Sequence, residues 1–94
     1  MKLENTVAIV TGGGKGIGAE ICLKLAKEGA KIVIAEMDIK SGEDIQKKII
    51  ENMGEAIVVN TNVADEVSVN NMANEAVKKF SQIDILINNA GIRH

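Results

Sequence analysis

The sequence predicts an α/β domain built on a doubly wound parallel sheet. Three observations carry this. Short β-branched runs alternate with longer stretches of helical spacing. The first run leads directly into a glycine-rich turn that opens a helix, and an acidic residue closes the second run. Strands that alternate with helices in this way lie parallel, with each helix as a right-handed crossover.

The strands are expected at Val7–Val10, Ile32–Ala35, Ile57–Val59 and Ile85–Ile87. Each is short, aliphatic and bounded by Gly, Asn or Asp, the pattern of a strand buried on both faces. Between them, Ile17, Ile21, Cys22 and Leu25 share one face of a first helix, with Gly29 past its last turn as a C-terminal cap. A second helix carries Ile45, Ile49, Ile50 and Met53, opened by Ser41 as N-cap and closed by Gly54. In the third, Val69, Met72, Ala73, Ala76, Val77 and Phe80 recur in steps of three and four, and Asp65 is placed to cap it. The order βαβαβαβ predicts strands arranged 3-2-1-4, with the first two helices on one face and the third on the other. The fourth strand is then an open edge, and one face carries a single helix. Residues 1–94 are therefore expected to be part of a larger domain.

Composition excludes several function classes. Apolar residues make up 46% of the chain, too many for a disordered segment. Phe80 is the single aromatic residue and the net charge is -2, so the chain offers neither a stacking platform nor a basic patch for nucleic acid or an anionic membrane. No apolar run is long enough for a membrane helix, and the start Met1-Lys2-Leu3-Glu4 does not resemble a signal peptide. One cysteine, Cys22, on the apolar stripe of the first helix, reads as a core thiol; it has no partner for an internal disulfide and no metal-ligand spacing surrounds it. A reducing, cytoplasmic setting is expected.

The candidate site begins at Thr11-Gly12-Gly13-Gly14-Lys15-Gly16-Ile17-Gly18, where the first strand ends and the first helix starts. A helix N-terminus presents unpaired N–H groups and a partial positive charge, which suits a pyrophosphate. Glycine is required where the chain turns with positive φ, where a phosphate approaches the backbone and where helix packs on strand; Gly12, Gly16 and Gly18 are placed for these needs. A Walker A loop is excluded because Gly16 follows Lys15 where a Ser or Thr is needed. Thr11, rather than an acid, at the end of the first strand argues against a methyltransferase. Glu36 stands about 20 residues beyond the turn, where an acid accepts hydrogen bonds from the adenosine ribose. Asp38 is a second candidate for that role.

Thr11 to Gly18 matches the TGxxxGxG pattern of the short-chain dehydrogenase/reductase family, and Asn88-Asn89-Ala90-Gly91 matches its NNAG motif. The preceding Asp84-Ile85-Leu86-Ile87 resembles the family's fourth strand, and the resemblance extends over all 94 residues. It implies a Rossmann-like fold, here the N-terminal, NAD(P)-binding part. It further implies that Gly12, Gly16, Ile17 and Gly18 line the pyrophosphate, Glu36 holds the ribose, and Asn62 and Val63 flank the adenine. Many members have Asp where this chain has Asn62. Asn89, Ala90 and Gly91 would lie along the cofactor riboses, while Thr11 and Asn88 tie strand ends together. Lys15 resembles the basic residue that NADP-preferring members use, and Glu36 the acid of NAD-preferring ones. NAD is the expected cofactor and NADP the alternative.

The resemblance implies an oxidoreductase that interconverts an alcohol and a carbonyl, acting on a small molecule and assembled as a homo-oligomer in its full-length form. Family members work with a Ser, a Tyr and a Lys beyond NNAG, and this chain contains no tyrosine. No residue is assigned a catalytic role, and the 94 residues alone are expected to be inactive. Arg93 and His94 read as the start of the following loop. Two other readings compete: a nucleotide-binding module without chemistry, and a docking piece that pairs through its open strand edge.

Overall fold

The computed structural model describes residues 2–89. Strands β1 (Val7–Thr11), β2 (Lys31–Glu36), β3 (Ala56–Asn60) and β4 (Ile85–Asn88) alternate with helices α1 (Gly16–Lys27), α2 (Ile39–Glu51) and α3 (Glu66–Phe80). The sheet is parallel and its order is β3-β2-β1-β4, as the sequence predicts.

Side-chain alternation divides the core into two layers. Ala8, Val10, Ile32 and Ile34 point to one face, where they pack with Cys22 of α1 and Ile45 and Ile49 of α2. Val7, Ile9, Val33 and Ala35 point to the other, against Met72 and Ala76 of α3. The two central strands are thus apolar over Val7–Val10 and Ile32–Ala35, as burial on both faces requires. At β4 the cover is one-sided: Ile85 and Ile87 pack into the first layer, while Leu86 is exposed. Among the described residues β4 pairs only with β1.

The helix stripes are narrower than their periodicity suggests. Ile17, Ile50, Met53 and Val77 are exposed, because a helix resting on a sheet buries only the residues nearest the contact line. Ile50 is turned about 100° from Ile49 by the 3.6-residue repeat, and Met53 lies past the last turn. The caps also shift. Asp38, not Ser41, is the N-cap of α2; its carboxylate accepts the Ser41 N–H at 3.2 Å. Asp65 caps α3 as expected, accepting the Val67 N–H at 3.0 Å.

Helices α1 and α2 end in the same paired hydrogen-bond motif with different residues at its left-handed position. After α1 that position is Gly29, with φ 102°. After α2 it is Met53, not Gly54: Met53 has φ 71°, and the Met53 and Gly54 N–H groups donate to the Ile50 and Ile49 carbonyls. A side chain in this conformation costs about 1–2 kcal/mol, and Met53 buries nothing to offset it. Met53→Gly is therefore expected to stabilise the protein by about 1 kcal/mol, read as a raised denaturant midpoint at unchanged m-value.

Cys22 is fully buried. Burial, with a smaller contribution from the Glu36 charge, pushes its thiol up to about 12 from an ordinary 9.0. Below pH 9 the thiol is neutral in both states. Above it the unfolded chain ionises and the folded one does not, so the folded state loses stability as pH rises from about 9 toward 12. At pH 8 the folded chain should resist thiol-specific alkylation until denaturant is added; labelling without denaturant at the rate of a free thiol would contradict the buried placement.

Candidate functional site

The register of the sheet brings polar residues together at the C-terminal ends of the strands. Thr11 stands beside Ala35 on β2 and Asn88 on β4, and Glu36 stands beside Asn60 on β3. Between β1 and β4 the strand order reverses, which is where open α/β sheets hold ligands.

Thr11 joins the two strands at this point. Its hydroxyl donates to Asn88 Oδ1 at 3.1 Å and accepts the Asn89 N–H at 2.9 Å. Asn89 Nδ2 reaches the Gly12 carbonyl at 3.4 Å. Thr11 and Asn88 thus occupy the tying positions expected of them. Asn89 is brought to the glycine turn, while Ala90 and Gly91, with Arg93 and His94, lie outside the described residues.

The glycines of the turn divide by task. Gly12 adopts φ 65° and donates its N–H to the Ala35 carbonyl at 2.7 Å, which reverses the chain over the end of β2. Gly18 is a packing glycine: a Cβ there would collide with the Gly12 carbonyl oxygen and stand 2.7 Å from Asn89 Nδ2. Gly16 is different. It has φ 51°, and a Cβ on it would meet nothing within 4 Å. Its open side lies at the first turn of α1. That turn lacks a side-chain cap, since Lys15 at the N-cap makes no cap hydrogen bond. Its leading N–H groups have no intrahelical acceptor.

Gly13 and Gly14, given no role from sequence, also prove to be packing positions. A Cβ on Gly13 would stand 2.8 Å from Cys22 Sγ, and one on Gly14 would stand 2.8 Å from the Gly42 nitrogen at the start of α2. Gly13 and Gly14 therefore form a seam between the turn and two helices. Nothing in the local pattern identifies that seam, because its other side comes from Cys22 and Gly42.

Glu36 is almost completely buried. Its carboxylate spans the loop: Oε1 accepts the Gly14 N–H at 2.9 Å and Oε2 accepts the Asp38 N–H at 3.1 Å. The predicted ribose acid thus also fixes the glycine turn relative to the end of β2. Lys15 does not stand free. Its ammonium lies 3.0 Å from Asp38 Oδ2; this contact raises the Lys15 pKa and, together with hydrogen bonds from Ser41, lowers that of Asp38 to about 2.

Asn62 and Val63 follow β3 on the same edge. The Asn62 Oδ1 accepts the Ala64 N–H at 3.0 Å and its own N–H donates to Ser68 Oγ at 2.9 Å, a local turn that feeds α3. Val63 is exposed. Among the described residues no hydrogen bond links this pair to the glycine turn. A separate groove between the C-terminal ends of α1 and α2, lined in part by Leu23, Ala26, Ile49 and Met53, lies at the opposite end of the sheet and shares no residue with the turn. Among the described residues no group of three His, Cys, Asp or Glu is placed to hold a metal ion, and no helix is long and apolar enough to cross a membrane.

The fold and this edge define the Rossmann-like α/β class, with a glycine turn and an acid at the ends of its first two strands. A family model described as short chain dehydrogenase matches residues 6–94. A Thermotoga maritima protein described as an uncharacterized oxidoreductase is 44% identical over 90 residues, covering 96% of this chain and 35% of that protein. The solved 7α-hydroxysteroid dehydrogenase, in complex with NADH and 7-oxo glycochenodeoxycholic acid, superposes with a TM-score of 0.94 at 32% identity, covering 97% of this chain and 36% of that one. A metagenomic short-chain oxidoreductase in complex with NADP gives a TM-score of 0.92 at 30% identity, covering 98% of this chain and 42% of that one. The chain belongs to the short-chain dehydrogenase family of oxidoreductases. It spans little more than a third of the length of the relatives it matches.

Proposed function

We propose that residues 1–94 are the N-terminal, dinucleotide-binding part of an NAD-dependent oxidoreductase that interconverts an alcohol and a carbonyl. The observation that carries this reading is the uncapped start of α1 behind Gly16, whose open side leaves room for a phosphate at the backbone. The N–H groups of Gly16, Ile17 and Gly18 bind the pyrophosphate with the help of the helix dipole. Gly12 sets the turn that aims them. Glu36 accepts the hydroxyls of the adenosine ribose: a carboxylate offers about four acceptor positions, and two are taken by Gly14 and Asp38. Those two bonds hold the acid in place before ligand arrives. Asn62 and Val63 flank the adenine, and Asn89, with Ala90 and Gly91, follows the remaining ribose.

When bound, the nicotinamide gives or takes a hydride; these residues orient it and none of them is assigned a proton-transfer role. The solved relatives hold NADH in one case and NADP in another. Here the choice falls to NAD, because a buried carboxylate at the ribose opposes a 2′-phosphate. The small-molecule substrate, the homo-oligomeric state and a cytoplasmic setting belong to the same proposal.

Calorimetric titration with NAD, NADP and ADP-ribose tests it. Saturable binding of NAD and ADP-ribose, with NADP weaker, is the expected result. Absence of binding by all three at millimolar concentration would overturn the reading, and tighter NADP than NAD would overturn the cofactor choice.

A further inference from the structure

We infer that Asp38 is a cofactor-specificity residue that acts by holding the Lys15 ammonium away from a 2′-phosphate. The inference rests on the dinucleotide reading above and adds to it a residue outside the proposed contacts.

The two oxygens of Asp38 have separate work. Oδ1 accepts the Ser41 N–H at 3.2 Å and caps α2, whereas Oδ2 takes the Lys15 ammonium at 3.0 Å. Capping needs only the first of these, so the ion pair is additional to the helix. Nor does the pair serve stability to any useful degree. Its side chains are 65% and 42% exposed, and pairs so open to solvent contribute little to folding.

Its position gives it another consequence. Lys15 immediately precedes Gly16, and the Asp38 N–H donates to Glu36 Oε2 at 3.1 Å. Lys15, Glu36 and Asp38 therefore form one cluster at the ribose end of the site, with two carboxylates to one ammonium and a net negative charge. A lysine in this position is the one cation of the cluster that can meet a 2′-phosphate. With Asp38 in contact it meets a carboxylate instead, and a phosphate must displace that partner before it gains the charge. Glu36 thus discriminates directly, and Asp38 removes the lysine that would otherwise counter it.

The test is the ratio of NADP to NAD affinity, measured by equilibrium binding on the full chain at low and moderate salt. Asp38→Asn keeps the cap, since Asn serves as well as Asp at an N-cap, and it frees Lys15. The ratio is expected to rise about tenfold, the scale of one hydrogen bond to a charged group, and the gain should shrink as salt is raised. In the double variant Lys15→Met, Asp38→Asn the gain should vanish. An unchanged ratio in Asp38→Asn would overturn the inference. An equal rise in the double variant would also overturn it, because Asp38 would then act through its own charge alone. If the unsubstituted chain binds neither nucleotide, the dinucleotide reading itself fails and takes this inference with it.

Discussion

Gly18→Val is expected to destabilise the protein and abolish nucleotide binding together, whereas Gly16→Val should abolish binding at a smaller cost in stability, set by backbone strain alone. The two positions are neighbours in one motif, yet their surroundings differ. At position 18 a Cβ would run into the Gly12 carbonyl oxygen, a backbone atom that itself holds Asn89 Nδ2. Neither can yield without opening the junction of β1, α1 and β4, and overpacking of this kind costs roughly 1–3 kcal/mol or more. At position 16 the Cβ enters open space, so the protein bears only the strain of a side chain at φ 51°, about 1–2 kcal/mol. The ligand meets the obstruction instead. Loss of two amide bonds to a phosphate would lower affinity about a hundredfold or more. Denaturant unfolding and calorimetric titration, run on both variants, separate the effects. Destabilisation by Gly16→Val well beyond that strain would show that Gly16, too, is a packing position.

That division of labour was only half legible in the sequence. The TGGGKGIG run marks where turn and helix meet, and positive φ at Gly12 and Gly16 follows from the tightness of that turn. Which glycine faces solvent and which faces protein depends on Asn89, Cys22 and Gly42, brought in from distant parts of the chain. The strands were legible because the middles of β1 and β2 are buried on both faces and so are apolar. Their polar last residues, Thr11 and Glu36, were not read as strand, since hydropathy does not register backbone pairing. Helix periodicity located Ile45 and Ile49 correctly but widened the stripe to Ile50 and Met53. The α2 cap could have been found: Asp38 precedes the helical run by one residue and stands three before Ser41, the spacing of an N-cap and its target N–H. The Lys15–Asp38 contact had no such local signal, because two exposed charges on different loops can meet only once the sheet sets the loops side by side.

Glu36→Ala is expected to weaken both the glycine turn and the nucleotide site, and Glu36→Gln should be nearly as harmful despite its similar shape. In the folded chain both carboxylate oxygens accept backbone N–H groups, from Gly14 and Asp38. Alanine leaves those donors without a charged acceptor, at roughly 1–3 kcal/mol for each one not recovered by water. Glutamine keeps one acceptor but turns its NH2 toward the other N–H, so donor faces donor in a nearly buried pocket. A surface carboxylate would tolerate this exchange; one that clamps a loop from two sides does not. NAD affinity should fall about a hundredfold in either variant, for the loss of charge-assisted ribose contacts. NADP affinity should fall less, because the repulsion of its 2′-phosphate is relieved at the same time. The discriminating measurement is amide exchange at Gly14 alongside nucleotide titration. Faster exchange together with weaker NAD binding would confirm that one carboxylate serves both loop and ribose. Weaker binding with Gly14 exchange unchanged would remove the clamp and leave Glu36 as a ligand contact alone.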